Sequence, residues 1–158
     1  MHPKKILKIC TECKSACCKL AGADFTKKEM QRIVKSGAKI KFNKESENHY
    51  EFKTNGKGVC AYLMKNGACE IHRVRPNACR CWPVEYPEFK NGKKIFFLAD
   101  CPLTKYLSKK EIQELKKLAE KITKKISDEC MNKTKVSKRE MAIAIKRYNK
   151  FKMKEMRI

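Results

Sequence analysis

The stretch CTECKSACC, residues 10–18, places four cysteines within nine positions, and six more follow at 60, 69, 79, 81, 101 and 130. Ten thiols in 158 residues constrain this chain more than any other feature. They must cross-link, bind metal or act as nucleophiles. A domain with a modest apolar core commonly adds cross-links or metal to it, so the choice among these fates bears on folding itself.

Compartment narrows the choice. Purely apolar runs, IFFLA at 95–99 among them, span only a few residues, against the ~20 that cross a bilayer. The opening MHPKKILKIC has lysines but neither the apolar region nor the cleavage site of a secretory signal. These features predict a cytoplasmic protein with no membrane association. A reducing cytosol disfavours structural disulfides, so clustered cysteines there point to metal. A composition rich in lysine and poor in glutamine keeps disulfides open as the alternative, because it resembles that of heat-adapted proteins.

Spacing then suggests how the ligands are shared. C-x-x-C lets two sulfurs meet one metal across a tight turn, so Cys10, Cys13 and Cys17 can supply three ligands from one loop. Cys18 differs. Adjacent side chains diverge, and the Cys17-Cys18 doublet therefore predicts two neighbouring centres or one larger cluster gripped from two sides. Cys60, Cys69, Cys79 and Cys101 read as remote ligands that close sites begun by the loop. The resulting set of eight is enough for two four-cysteine sites. Cys81 is left as a spare or substitute ligand, and Cys130 reads as a buried thiol on a helix face.

The order CTECKSACC, GVCAYLMKNGACEI, RPNACRCWP, then Cys101, resembles the YkgJ-type cysteine-cluster family, a zinc- or iron-chelating domain with a CxxCxxCC signature. The resemblance covers roughly residues 7–103. It implies metal ligation at Cys10, Cys13, Cys17, Cys18, Cys60, Cys69, Cys79 and Cys101. Flagellin lysine methylases carry a similar cluster, so the resemblance also implies an enzymatic alternative, a protein-modifying methyltransferase or oxidoreductase. Four thiolates satisfy zinc, whereas three close cysteines and one remote one suit a [4Fe–4S] cluster. Of the two cofactors, iron–sulfur is preferred over Zn2+.

Other side chains are assigned lesser parts. His2, His49 and His72 show no paired ligand spacing, although His72 follows Cys69 by three residues. Pro76 suits the first turn of a short helix carrying Cys79. Arg75 and Arg80 either donate to thiolate or sulfide or make ordinary backbone and carboxylate contacts. Trp82 reads as packing beside the site. The formal net charge of +22 suits an anionic partner such as RNA, or simply a solvated lysine-rich surface. Lys138, Arg139, Lys146, Arg147 and Lys150 would serve a third reading, a zinc-stabilised nucleic-acid-binding module. Oligomeric state and catalytic residues have no signature.

Local patterns predict an α+β fold. Capping boxes stand at Thr26–Glu29, Ser108–Glu111 and Ser137–Glu140, each with a hydrophobic staple: Phe25 with Met30, Leu107 with Ile112, Val136 with Met141. The first helix should run over about 27–36 and stop at Gly37. The second carries Ile112, Leu115, Ala119, Ile122 and Ile126 on one face, the third Met141, Ile145, Tyr148 and Phe151. Between them KIKF, HYEFK and KIFFLAD suggest strands, and Asn66-Gly67 a hairpin turn. The expected organisation is a metal-stabilised cysteine-rich domain over 1–104 and a basic antiparallel helical hairpin over 105–158.

Overall fold

A computed structural model describes residues 2–20, 22–85, 88–90, 93–125 and 153–156. The chain opens with helix α1, Pro3–Glu12. Pro3 presets the helical φ at the first position, and the His2 side chain accepts from the Lys4 backbone N–H at 3.3 Å. Ile6 and Ile9, one turn apart on one face, pack with Trp82, Ala99, Leu103 and Leu107. The sequence reading placed Cys10 and Cys13 in a loop. Cys10 instead sits in the last turn of α1 and Cys13 caps it. The His2-Pro3 start and the Ile6/Ile9 spacing are the local signals that outweigh a turn.

A three-stranded antiparallel sheet follows, with β3 (His49–Phe52) between β1 (Asp24–Thr26) and β2 (Phe42–Lys44). Its register sets Phe25 against Tyr50 and Phe42 against Phe52. The aromatic rings then meet: the Phe25 and Phe52 centroids lie 4.5 Å apart, and Phe52 meets the Tyr62 ring edge-on at 5.0 Å. Helix α2, Lys27–Lys35, begins directly after β1 and buries Ile33 against this cluster. Each such buried side chain contributes about 1.5–3 kcal/mol. The predicted stop is present, with Gly37 at φ +78° beyond the last turn. Cys60, Cys69 and Cys79 pack against the same core, with Ile71 among its buried residues. The core thus forms the floor under the downstream thiols.

A short helix α3, Asn77–Cys81, follows Pro76. Beyond it β5 (Lys93–Ala99) lies between β4 (Glu88–Lys90) and β6 (Met153–Met156) in a second antiparallel sheet. The β6 strand has no counterpart in the sequence reading. After a 3-10 helix, Pro102–Tyr106, comes α4, Lys109–Lys125. Ala119 and Ile122 on its apolar face are buried with Cys81, Val84 and Phe96. The fold is mixed α+β, as expected. The Ser137 capping box, the third helix, the helical hairpin and Cys130 fall outside the described residues. No helix among the described residues is long and apolar enough to cross a membrane.

Candidate metal centre

The turn after α1 aims the cysteine doublet. Lys14 and Ser15 both take positive φ, +55° and +44°, a backbone that costs a non-glycine residue roughly 1–2 kcal/mol. Hydrogen bonds hold it there. The Ser15 backbone N–H donates to the Cys10 carbonyl at 2.8 Å, and its buried hydroxyl donates to the Gly67 carbonyl at 2.8 Å. The chain then coils into the 3-10 helix Ala16–Lys19, which carries Cys17 and Cys18.

Three further segments converge on it. The Cys60 N–H donates to the Cys18 carbonyl at 2.9 Å. Around Asn66-Gly67 the chain reverses as predicted: Leu63 and Cys69 form an antiparallel bridge, the Met64 N–H reaches the Ala68 carbonyl at 2.9 Å, and Gly67 adopts φ +84°. Helix α3 presents Cys79 and is pinned from α2. Glu29 accepts from the Asn77 N–H at 2.8 Å, while the Arg32 guanidinium donates to the carbonyls of Val74 and Arg75.

Together these elements form a partly open cavity of about 270 Å³, with Cys10, Cys17, Cys18, Cys60, Cys69 and Cys79 on its wall. Phe52, Tyr62 and Ile71 supply an apolar side, and His72 and Arg75 a polar one. Among the described residues no three His, Cys, Asp or Glu side chains close on a single point as ion ligands. The thiols surround a space.

Cys13 and Cys101 do not line this cavity, but both lie within electrostatic reach of Cys10 and of each other. Cys101 is buried where the second 3-10 helix meets α1, with Trp82 packed against the same cluster. Trp82 also lines the cavity, so it packs beside the site as expected. Cys81 faces away into the core beneath α4 and donates to the Ala78 carbonyl. Arg80 spends its guanidinium on the carbonyls of Arg75 and Arg73, the ordinary backbone contact of the two alternatives.

Burial sets the acidity of the thiols. Loss of hydration pushes Cys10 and Cys69 up to about 11 and Cys60 up to about 12. Cys79, enclosed with Cys18, Cys60 and Cys69 nearby, is raised well above the usual thiol range for the same reason. The doublet splits. Cys17 donates its thiol proton to Cys18, which raises Cys17 and lowers Cys18, and the Arg75 charge helps to lower Cys18 further. His72 is held down to about 4 by burial and by the charges of Arg75 and Arg80, so its imidazole is neutral near pH 7.

Soft sulfur donors crowded around one cavity are the donor chemistry of zinc and iron–sulfur sites, which defines a thiol-rich metal-chelating domain. The sequence model of the CxxCxxCC family, described as a "Putative zinc- or iron-chelating domain", matches residues 9–130, and the chain belongs to that family. The match extends past the resemblance at 7–103 to take in α4. No curated protein matches the chain, and no solved structure does.

Proposed function

We propose that this metal-binding domain holds an iron–sulfur centre in the cysteine-walled cavity. The cavity's size is the observation that carries the choice of metal. Zinc bonded to sulfur at ~2.3 Å draws four thiolates into contact around one atom, whereas about 270 Å³ walled by six thiols offers room for a group of several atoms. A single water needs only about 10–15 Å³.

The ligand set is the eight cysteines in two groups of four, one serving the centre in the cavity and the other a second centre beside it. Cys18, Cys60, Cys69 and Cys79 influence one another's acidity across the cavity. Cys10, Cys13, Cys17 and Cys101 are linked in the same way through Cys10. The Cys17–Cys18 hydrogen bond is the seam between them. Their soft thiolates fit the group. When bound, such a centre supplies electron transfer or a structural brace for a thin core.

Purification without oxygen, followed by a visible spectrum and measurement of iron, sulfide and zinc, tests the proposal. Broad visible absorbance with stoichiometric iron and sulfide is the expected result. Colourless protein with tightly held zinc overturns the choice of metal, and metal-free protein with cross-linked cysteines overturns the ligation.

A further inference from the structure

The polar side of the cavity is unusual for what it lacks. Arg75 lines the wall with six cysteines, and its half-buried guanidinium has neither a carboxylate partner nor a side-chain hydrogen bond among the described residues. Its carbonyl is well used, accepting from Arg32 and Arg80. Those two bonds, with Pro76 next in sequence, fix the backbone from which the side chain reaches the thiols. The positive charge is felt at Cys10, Cys18, Cys69 and Cys79 together.

The nearby carboxylates do not neutralise it. Asp24, also on the cavity wall, is hydrogen-bonded to His49 at 2.6 Å. Glu85, also on the wall, acts on Cys81. A second polar atom points to the same gap: His72 is on the wall, 8% exposed, and its buried Nε2 has no hydrogen-bond partner. A guanidinium offers five donors in a rigid fork and cannot shed its charge.

We infer that Arg75 is the cationic donor that receives the negatively charged thiolate–metal centre, its fork hydrogen-bonding to ligand sulfur from the cavity wall. The charge balance supports this. Four thiolates around a divalent ion leave a net −2, and one fixed guanidinium cancels half of it inside the site. Hydrogen bonds to ligating sulfur tune a centre as much as its ligands do. Arg75 is thus a positioning and charge-setting residue rather than a ligand. The inference rests on thiolate ligation by this cavity, but not on which metal is bound.

Cobalt(II) is a suitable probe, since its thiolate absorbance reports sulfur ligation whatever the native metal. Reduced full-length wild type, Arg75→Lys and Arg75→Gln are titrated with cobalt(II) against a competing chelator. Far-UV circular dichroism of the metal-free proteins serves as the folding control. Wild type should bind tightest, Arg75→Lys less well because it keeps the charge but loses the fork, and Arg75→Gln about tenfold or more weaker than wild type. In iron-loaded protein the midpoint potential should move negative in the same order, a shift that a purely structural role would not produce. Equal cobalt affinity in all three proteins overturns the inference while leaving thiolate ligation intact. Absence of the thiolate band in wild type overturns the ligation itself. If Arg75→Gln does not fold, Arg75→Lys decides alone, and wild-type affinity and potential in that variant overturn the inference.

Discussion

The Ser15 hydroxyl donates to the carbonyl of Gly67 at 2.8 Å across 52 residues of sequence, in a fully buried contact. It fastens the turn that aims Cys17 and Cys18 to the turn that precedes Cys69. Ser15→Ala leaves that carbonyl without its donor and should cost about 1–3 kcal/mol. Ser15→Gly loses the same bond but relieves the left-handed backbone at φ +44°, so its loss should be smaller. Gly67→Ala should also destabilise, because a Cβ there meets Lys14 Cα at 3.1 Å at a backbone φ of +84°. Urea midpoints of the reduced, metal-free variants check all three, and the midpoints should rank wild type, Ser15→Gly, Ser15→Ala.

Glu29 links the core to the centre. Its buried carboxylate accepts from the Thr26 N–H and hydroxyl, both at 2.9 Å, and from the Asn77 N–H at 2.8 Å. Glu29→Ala should cost about 1.5–3 kcal/mol and should also weaken metal binding, because α3 carries Cys79. Ser108→Ala breaks the matching cap of α4, on an exposed surface. It should cost less and leave metal content unchanged. Metal per chain after gel filtration separates the two effects.

The cysteines should fall into two classes. Cys60→Ser and Cys69→Ser remove cavity thiols and should lower bound metal sharply. Cys81→Ser should keep the metal while losing stability, since its sulfur is buried with Val84, Phe96 and Ala119. Metal content and thermal midpoint, measured on the same preparations, should therefore move independently. Metal loss in Cys81→Ser with full retention in Cys60→Ser would reverse the assignment.

The raised thiols give the metal-free fold a pH dependence of definite sign. Burial raises Cys60 to about 12 and Cys10 and Cys69 to about 11, whereas an unfolded thiol titrates near ~8.5. Above that value the unfolded chain releases protons that the folded chain retains, so stability falls as pH rises. The loss begins near ~8.5 and continues toward the raised folded values. Urea denaturation of reduced, metal-free protein should show a lower midpoint at pH 10 than at pH 7.5. Cys60→Ser should flatten the slope. Metal loading has the opposite preference, because thiolates must form, so apparent affinity should increase with pH.

Features written in local patterns were legible in the sequence. The Thr26–Glu29 and Ser108–Glu111 pairings, the stop at Gly37 and the reversal at Asn66-Gly67 each need only neighbouring residues, and each is present. Helix α1 is set by the His2-Pro3 start and by Ile6 and Ile9 packing with Trp82, Ala99 and Leu103, against a C-x-x-C spacing that by itself favours a turn. The β6 strand was missed because Met153–Met156 gains its pairing from β5, far away in sequence. At the site, the thiols announce themselves by type, and six of the proposed eight share one cavity. The place of Arg75 on the cavity wall and the Arg80 bonds to the carbonyls of Arg75 and Arg73 depend on three-dimensional packing, which spacing does not encode. The place of Trp82 beside the site was readable from its position next to Cys81 and Pro83.

Native mass spectrometry of the chain purified without oxygen tests the central claim most directly, since it weighs what the thiols hold. Our account predicts a mass above that of the reduced polypeptide by an iron–sulfur cluster, and loss of that increment in Cys60→Ser but not in Cys81→Ser. A mass lower than the reduced chain by two hydrogens per cysteine pair, with no added metal, would contradict it.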